Sequence, residues 1–127
     1  MIVDEWQKPA VLLYAAAYNS RAAAEICAGL EEEGIPCRLC ERQSGGVYTL
    51  AYAAANDSLL HCGIGLCGAR AAMTLDNLRE NDMLFETSCD WKTLGTNAAR
   101  AVKKIRFKAI DADRGIDRMA EPGDRNN

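Results

Sequence analysis

Cys62-Gly63-Ile64-Gly65-Leu66-Cys67-Gly68-Ala69-Arg70-Ala71-Ala72-Met73-Thr74-Leu75 is the stretch on which the fold turns. Residues 63–68 fit Gly-x-Gly-x-x-Gly, and an apolar strand running into such glycines suggests a pyrophosphate laid over a helix N-terminus. In a dinucleotide-binding fold that fingerprint opens the first strand and helix, and an acid about 20 residues later closes the second strand. Here the glycines follow what reads as a third strand, and Asp90, at about the right distance, falls in a different element. The competing reading is a glycine-rich strand end where backbones approach closely. The next segment does not decide by periodicity, because residues 69–81 read equally as a helix turn or as a strand.

Working outward, residues 10–15 are a short apolar run after Pro9, the pattern of a strand buried on both faces. Asn19 or Ser20 offers a helix N-cap, Ala23, Ile26, Cys27 and Leu30 follow at helical spacing, and Gly34-Ile35-Pro36 supplies the stop. Residues 36–41 read as a second strand, Ser44-Gly45-Gly46 as punctuation, and residues 47–56 as a second helix. Residues 58–66 form the predicted third strand, and residues 83–86 a short one. Leu94, Ala98, Ala101, Val102 and Ile105 mark the buried stripe of a last helix. The alternation of strand and helix predicts the α/β class. We expect one domain over residues 1–107 and a polar, flexible tail over residues 108–127, which carries a Pro-Gly pair.

Composition constrains the rest. The chain has 127 residues and is 49% hydrophobic, but 21 of its residues are Ala and only 25 are Leu, Ile, Val or Phe. An Ala-rich chain must gain stability from close helix packing or by burying surface against a partner. A net charge of −3 gives no field for polyanion binding, so no nucleic-acid partner is expected. The longest apolar run, residues 10–18, is too short to span a membrane, and the acidic N-terminus is no signal peptide. We therefore expect a cytoplasmic protein whose six cysteines stay free thiols.

No catalytic constellation stands out. Cys37-Arg38-Leu39-Cys40 is spaced like half a zinc site, but on a strand residues three apart point to opposite faces and cannot converge on one ion. His61, the single histidine, lies in the predicted third strand and reads as a packed side chain rather than a general base. The feature that breaks a local rule is Glu31-Glu32-Glu33 in the last turn of the first helix. Each acid at a helix C-terminus is unfavourable by roughly 0.3–1 kcal/mol. A solvated helix end would tolerate that cost; alternatively the carboxylates meet a hard cation or a partner's Arg or Lys. The last helix ends the opposite way, with Arg100, Lys103, Lys104, Arg106 and Lys108, which its own C-terminal dipole favours.

Three segments carry a family resemblance: Gly29-Leu30-Glu31-Glu32-Glu33-Gly34-Ile35-Pro36-Cys37, Cys62-Gly63-Ile64-Gly65-Leu66, and Leu94-Gly95-Thr96-Asn97-Ala98-Ala99-Arg100-Ala101-Val102-Lys103. In order and spacing they resemble the small subunit of the reactivating factor for coenzyme B12-dependent diol and glycerol dehydratases. The dehydratase medium subunit shares the same domain. The resemblance implies a three-layer α/β/α domain, anticodon-binding-domain-like, with a mixed, mostly parallel sheet of about five strands, in which residues 69–75 form the one antiparallel strand. It implies a non-catalytic subunit that binds a large chaperone-like ATPase, two copies of each, and exchanges with the dehydratase medium subunit so that damaged cobalamin escapes. ATP and cobalamin would belong to those partners, and the chain would have no cofactor of its own. The resemblance also implies Glu32 as a ligand of Mg²⁺ shared with the large subunit, with Glu31 and Glu33 beside it at the interface. A self-dimer of the isolated chain is a further expectation. The alternatives are a medium-type dehydratase subunit, which carries extra sequence on both sides of the shared domain, or a small nucleotide-binding enzyme resting on residues 63–68.

Overall fold

The stretch that follows the glycines is a strand, and it turns straight back along the one before it. In the computed structural model, which describes residues 8–104, the elements run β1 (Val11–Tyr18), α1 (Ser20–Glu32), β2 (Cys37–Glu41), α2 (Val47–Asp57), β3 (Cys62–Gly68), β4 (Arg70–Leu75), β5 (Phe85–Thr87) and α3 (Trp91–Lys103). Cys67 pairs with Arg70, which leaves Gly68-Ala69 as a two-residue hairpin loop. Gly68 takes φ 58°, the positive value a type II′ turn demands at its first position. No helix follows the glycines, so they do not cradle a phosphate at a helix N-terminus.

The sheet order is β2-β1-β3-β4-β5. β1 lies parallel to both β2 and β3, while β4 is antiparallel to both β3 and β5. This is the mixed sheet with one reversed strand that the family resemblance implies. Helices cover both faces. On one, Val11, Leu13, Ile64, Leu66, Met73 and Phe85 meet Ala22, Ile26 and Leu30 of α1 and Leu94 and Ala98 of α3. On the other, Leu12, Tyr14 and Ala16 meet Leu50 and Ala54 of α2.

The shortage of large aliphatic residues is answered by backbone proximity. A Cβ placed on Gly63 would lie 2.1 Å from the amide nitrogen of Ala55, and one on Gly65 would lie 2.2 Å from the carbonyl of Val47. α2 therefore rests directly on β3, which explains the glycine repeat without any ligand. The seam between α1 and α3 is equally tight: a Cβ on Gly29 would lie 2.2 Å from the Lys92 carbonyl, and one on Gly95 would lie 2.1 Å from that of Ile26.

Local capping fixes the ends of α1. The Asn19 side chain accepts from the amides of Arg21 and Ala22 at 2.9 and 3.1 Å. At the other end the Gly34 amide donates to the Glu31 carbonyl and the Ile35 amide to that of Leu30, a Schellman stop with Gly34 at φ 81°.

Strand boundaries differ from the sequence reading. β1 extends to Tyr18 through a bulge that puts Ala17 at φ 45°. β3 begins at Cys62 rather than at residue 58, because Ser58 ends α2 and its hydroxyl donates to the Ala10 carbonyl at 2.6 Å while accepting from the Leu60 amide. α3 begins at Trp91, whose indole N–H donates to the Ala69 carbonyl at 2.8 Å. The predicted tail, residues 108–127, lies outside the described residues, as do Ile105 and Arg106 of the predicted last helix. Among the described residues no helix is long and apolar enough to cross a membrane.

Candidate interaction site at the acidic end of helix α1

The acidic and basic helix ends, which look like separate features in the sequence, face each other. Glu31 and Glu32 are exposed at the end of α1, and Glu33 is half-buried as its C-cap. Lys92 reaches Glu32 Oε2 at 2.7 Å. Lys103 meets Glu33 Oε1 at 3.0 Å, and Arg100 meets Glu33 Oε2 at 3.4 Å. Lys103 also donates to the backbone carbonyl of Glu33 at 2.8 Å, so a cation from α3 neutralises the negative end of α1. Part of the electrostatic penalty read from the sequence is thus met inside the chain. Glu31 and the outer side of Glu32 still face solvent. Close approach of the two helices, set by Gly29 and Gly95, is what brings these charges within reach.

The Lys103 ammonium, helped by Arg100, holds the Glu33 carboxyl below the usual carboxylate range. A carboxyl depressed in the folded state adds stability above its ordinary range and loses it as pH falls through the lowered value. Glu33→Gln should therefore be less sensitive to acid than the parent: in denaturant titrations at neutral and acidic pH the parent loses more stability than the variant. The effect should be modest and shrink with added salt, because the pair is partly exposed.

Other side chains fall where the sequence did not place them. His61 is not packed in a strand: it sits in the turn before β3 at φ 64°, largely exposed, with Nδ1 2.6 Å from Asp76. The pair borders a groove of about 430 Å³ with Leu59, Leu75, Ala101 and Val102. Glu86, which composition alone could not single out, is buried on β5 between Arg70 at 2.6 Å and the Tyr48 hydroxyl at 2.6 Å. A period-two pattern on so short a strand gives no warning of it. Cys37 and Cys40 point to opposite faces, as strand geometry requires: Cys37 packs against the α1 side and Cys40 against the α2 side. Among the described residues no group of three His, Cys, Asp or Glu side chains converges on a metal position.

The chain resembles proteins of known family along most of its length. Residues 8–108 match the family model described as dehydratase medium subunit. The propanediol dehydratase-reactivating factor small subunit of Citrobacter freundii is 33% identical over 105 residues, covering 79% of this chain and 90% of that one. The diol dehydratase-reactivating factor small subunit of Klebsiella michiganensis is 35% identical over 94 residues, covering 70% and 75%. Among solved structures, a glycerol dehydratase reactivase matches with TM-score 0.75 at 32% identity, covering 80% of this chain and 97% of that one. A diol dehydratase-reactivating factor complexed with ADP and Mg²⁺ matches with TM-score 0.74 at 33% identity, covering 80% and 98%. With the reversed fourth strand, the glycine-seated α2 and the acidic α1 end in place, the chain belongs to the dehydratase medium subunit family, among the small subunits of diol and glycerol dehydratase-reactivating factors.

Proposed function

We propose that this chain is the non-catalytic small subunit of a dehydratase reactivase: it binds a large ATPase subunit, two copies of each, and trades places with the dehydratase medium subunit so that damaged cobalamin leaves the enzyme. The observation that carries this reading is likeness over nearly the whole of the relatives' length, 90% of a reactivase small subunit and 97% of a reactivase chain. ATP hydrolysis and cobalamin binding then belong to the partners. The family model is named for the dehydratase medium subunit, so the second reading is a subunit of the dehydratase itself. The two are separated by offering the tagged chain the large reactivase subunit and the dehydratase together. A stable complex with the ATPase, and cobalamin released from inactivated dehydratase only when ATP and both reactivase subunits are present, is the expected result. Stable incorporation into the dehydratase without the ATPase would favour the second reading.

The contact with the large subunit is assigned to Glu31, Glu32 and Glu33. Mg²⁺ binds through one or two carboxylates and keeps several waters, so a single exposed glutamate is a sufficient contribution from one side of a shared site. Glu32 fits that role: its side chain is 57% exposed and Lys92 engages one of its oxygens. Lys92 would have to yield when the cation arrives. Glu32→Gln should weaken association with the ATPase subunit by about tenfold or more when Mg²⁺ is present, the scale on which losing one group of a metal shell acts. Chelation should bring the parent down to the level of the variant. Equal binding by both proteins, with and without Mg²⁺, would remove the metal role and leave the subunit reading standing.

A further inference from the structure

Cys27 and Cys37 are ten residues apart in sequence, on the inner side of α1 and on the edge strand β2, and their sulfurs stand 2.6 Å apart. Packed heavy atoms ordinarily stand about 3.5–4.0 Å apart. Both side chains are half-buried, and both are free thiols. Among the other cysteines, Cys62 is fully buried and burial pushes its thiol up to about 12, Cys67 contacts the Gly45 carbonyl, Cys40 lies on the opposite face, and the exposed Cys89 sits by Thr87.

From this geometry we infer that Cys27 and Cys37 form a reversible disulfide site that staples α1 to β2, oxidised by small-molecule disulfides of the glutathione type. Cys27, the less deeply buried of the two, is the attacking group. The hydrogen bond shared with Cys37 holds the Cys27 thiol below its ordinary range, against burial and the nearby Glu31 charge, whereas that same bond and burial push Cys37 far up. The chemistry balances as two exchanges. The Cys27 thiolate attacks one sulfur of oxidised glutathione, forming a mixed disulfide and expelling one glutathione thiolate. Cys37 then gives up its proton, attacks the Cys27 sulfur and expels the second glutathione. The protein loses two hydrogens and two glutathione molecules are the reduced products. The bond encloses the α1 stop, so oxidation fixes the corner that carries Glu31, Glu32 and Glu33.

The full-length reduced chain is treated with oxidised glutathione, quenched in acid and mapped by mass spectrometry without reduction. The expected result is a cross-linked peptide pair containing Cys27 and Cys37, with the thiols of Cys40, Cys62 and Cys67 retained, and a thermal midpoint raised by about 5 °C or more. Cys37→Ser should stop at a lasting glutathione adduct on Cys27, and Cys27→Ser should leave Cys37 unmodified. A glutathione adduct that persists on Cys27 in the parent, a disulfide linking other cysteines, an unreacted pair, or an oxidised chain that melts no higher than the reduced one would each overturn the staple.

Discussion

Gly63→Ala is expected to destabilise the domain by about 3 kcal/mol or more, a large part of the whole stability of a chain this size. Two effects compete. A non-glycine residue inside a strand gains roughly 0.5–1 kcal/mol in conformational entropy. Against that, the new methyl would lie 2.1 Å from the Ala55 amide nitrogen and 2.5 Å from the Ala54 carbonyl carbon, atoms of the α2 backbone that no rotamer change can move aside. The helix must lift from the sheet, and Leu50, Ala51 and Ala54 lose their contacts with it. The clash wins. Thermal unfolding should show the midpoint lowered by at least about 10 °C. Gly68→Ala is the matched control: nothing lies within 4 Å of its Cβ, so only the strain of φ 58° remains, about 1–2 kcal/mol. A Gly63→Ala variant no less stable than Gly68→Ala would show that α2 does not rest on β3 as described.

The second large effect belongs to the seam between α1 and α3. Gly95→Ala should cost about 2–3 kcal/mol even though replacing a mid-helix Gly by Ala ordinarily gains about 1 kcal/mol. The methyl would meet the Ile26 carbonyl oxygen at 2.1 Å and its carbonyl carbon at 2.9 Å. Gly29→Ala meets the Lys92 carbonyl at 2.2 Å and should behave alike. Because either methyl forces the same separation of the two helices, the double variant should fall well short of the sum of the singles. Denaturant titration of the four proteins gives the coupling directly. Strict additivity would mean that the two glycines sit in independent contacts. The same separation pulls Arg100 and Lys103 away from Glu33, so the variants should also lose part of the acid sensitivity expected of the parent.

How far the sequence could be read depended on whether a signal was local. The first helix was legible to the residue at its stop, because Gly34-Ile35-Pro36 makes a Schellman turn from backbone rules alone. The α/β alternation followed for the same reason. The reversed strand was not legible from period: a run rich in Ala, such as residues 70–75, carries no amphipathic stripe, and it took the family resemblance to place it. His61 reads as packed only when the strand starts four residues early; the turn there is made by the Ser58 hydroxyl bond to Ala10 and the His61 amide bond to the Ser58 carbonyl, neither of which a pattern shows. At the candidate site, Glu31, Glu32 and Glu33 announced themselves by breaking the helix-dipole rule. That Lys92, Arg100 and Lys103 answer two of them depends on how closely two helices cross some 60 residues apart in the chain, and no spacing rule reaches that far. The Cys27 and Cys37 pairing was hidden for the same reason, behind the more conspicuous pair at Cys37 and Cys40.

The place of β1 in the sheet also bears on the order in which the fold is assembled. β1 comes first along the described chain yet lies between β2 and β3, with Leu12 opposite Gly63. The β3 and β4 hairpin can close by itself through a two-residue loop, and β1, α1 and β2 are contiguous. These two local units must then dock along β1, a step that closes a long stretch of chain before any contact rewards it. During synthesis, β1 leaves the ribosome with one flank bare until β3 has followed. The barrier to folding should therefore lie at that docking, and the glycines of β3, which let α2 settle over the join, should govern how fast the chain folds as well as how stable it becomes.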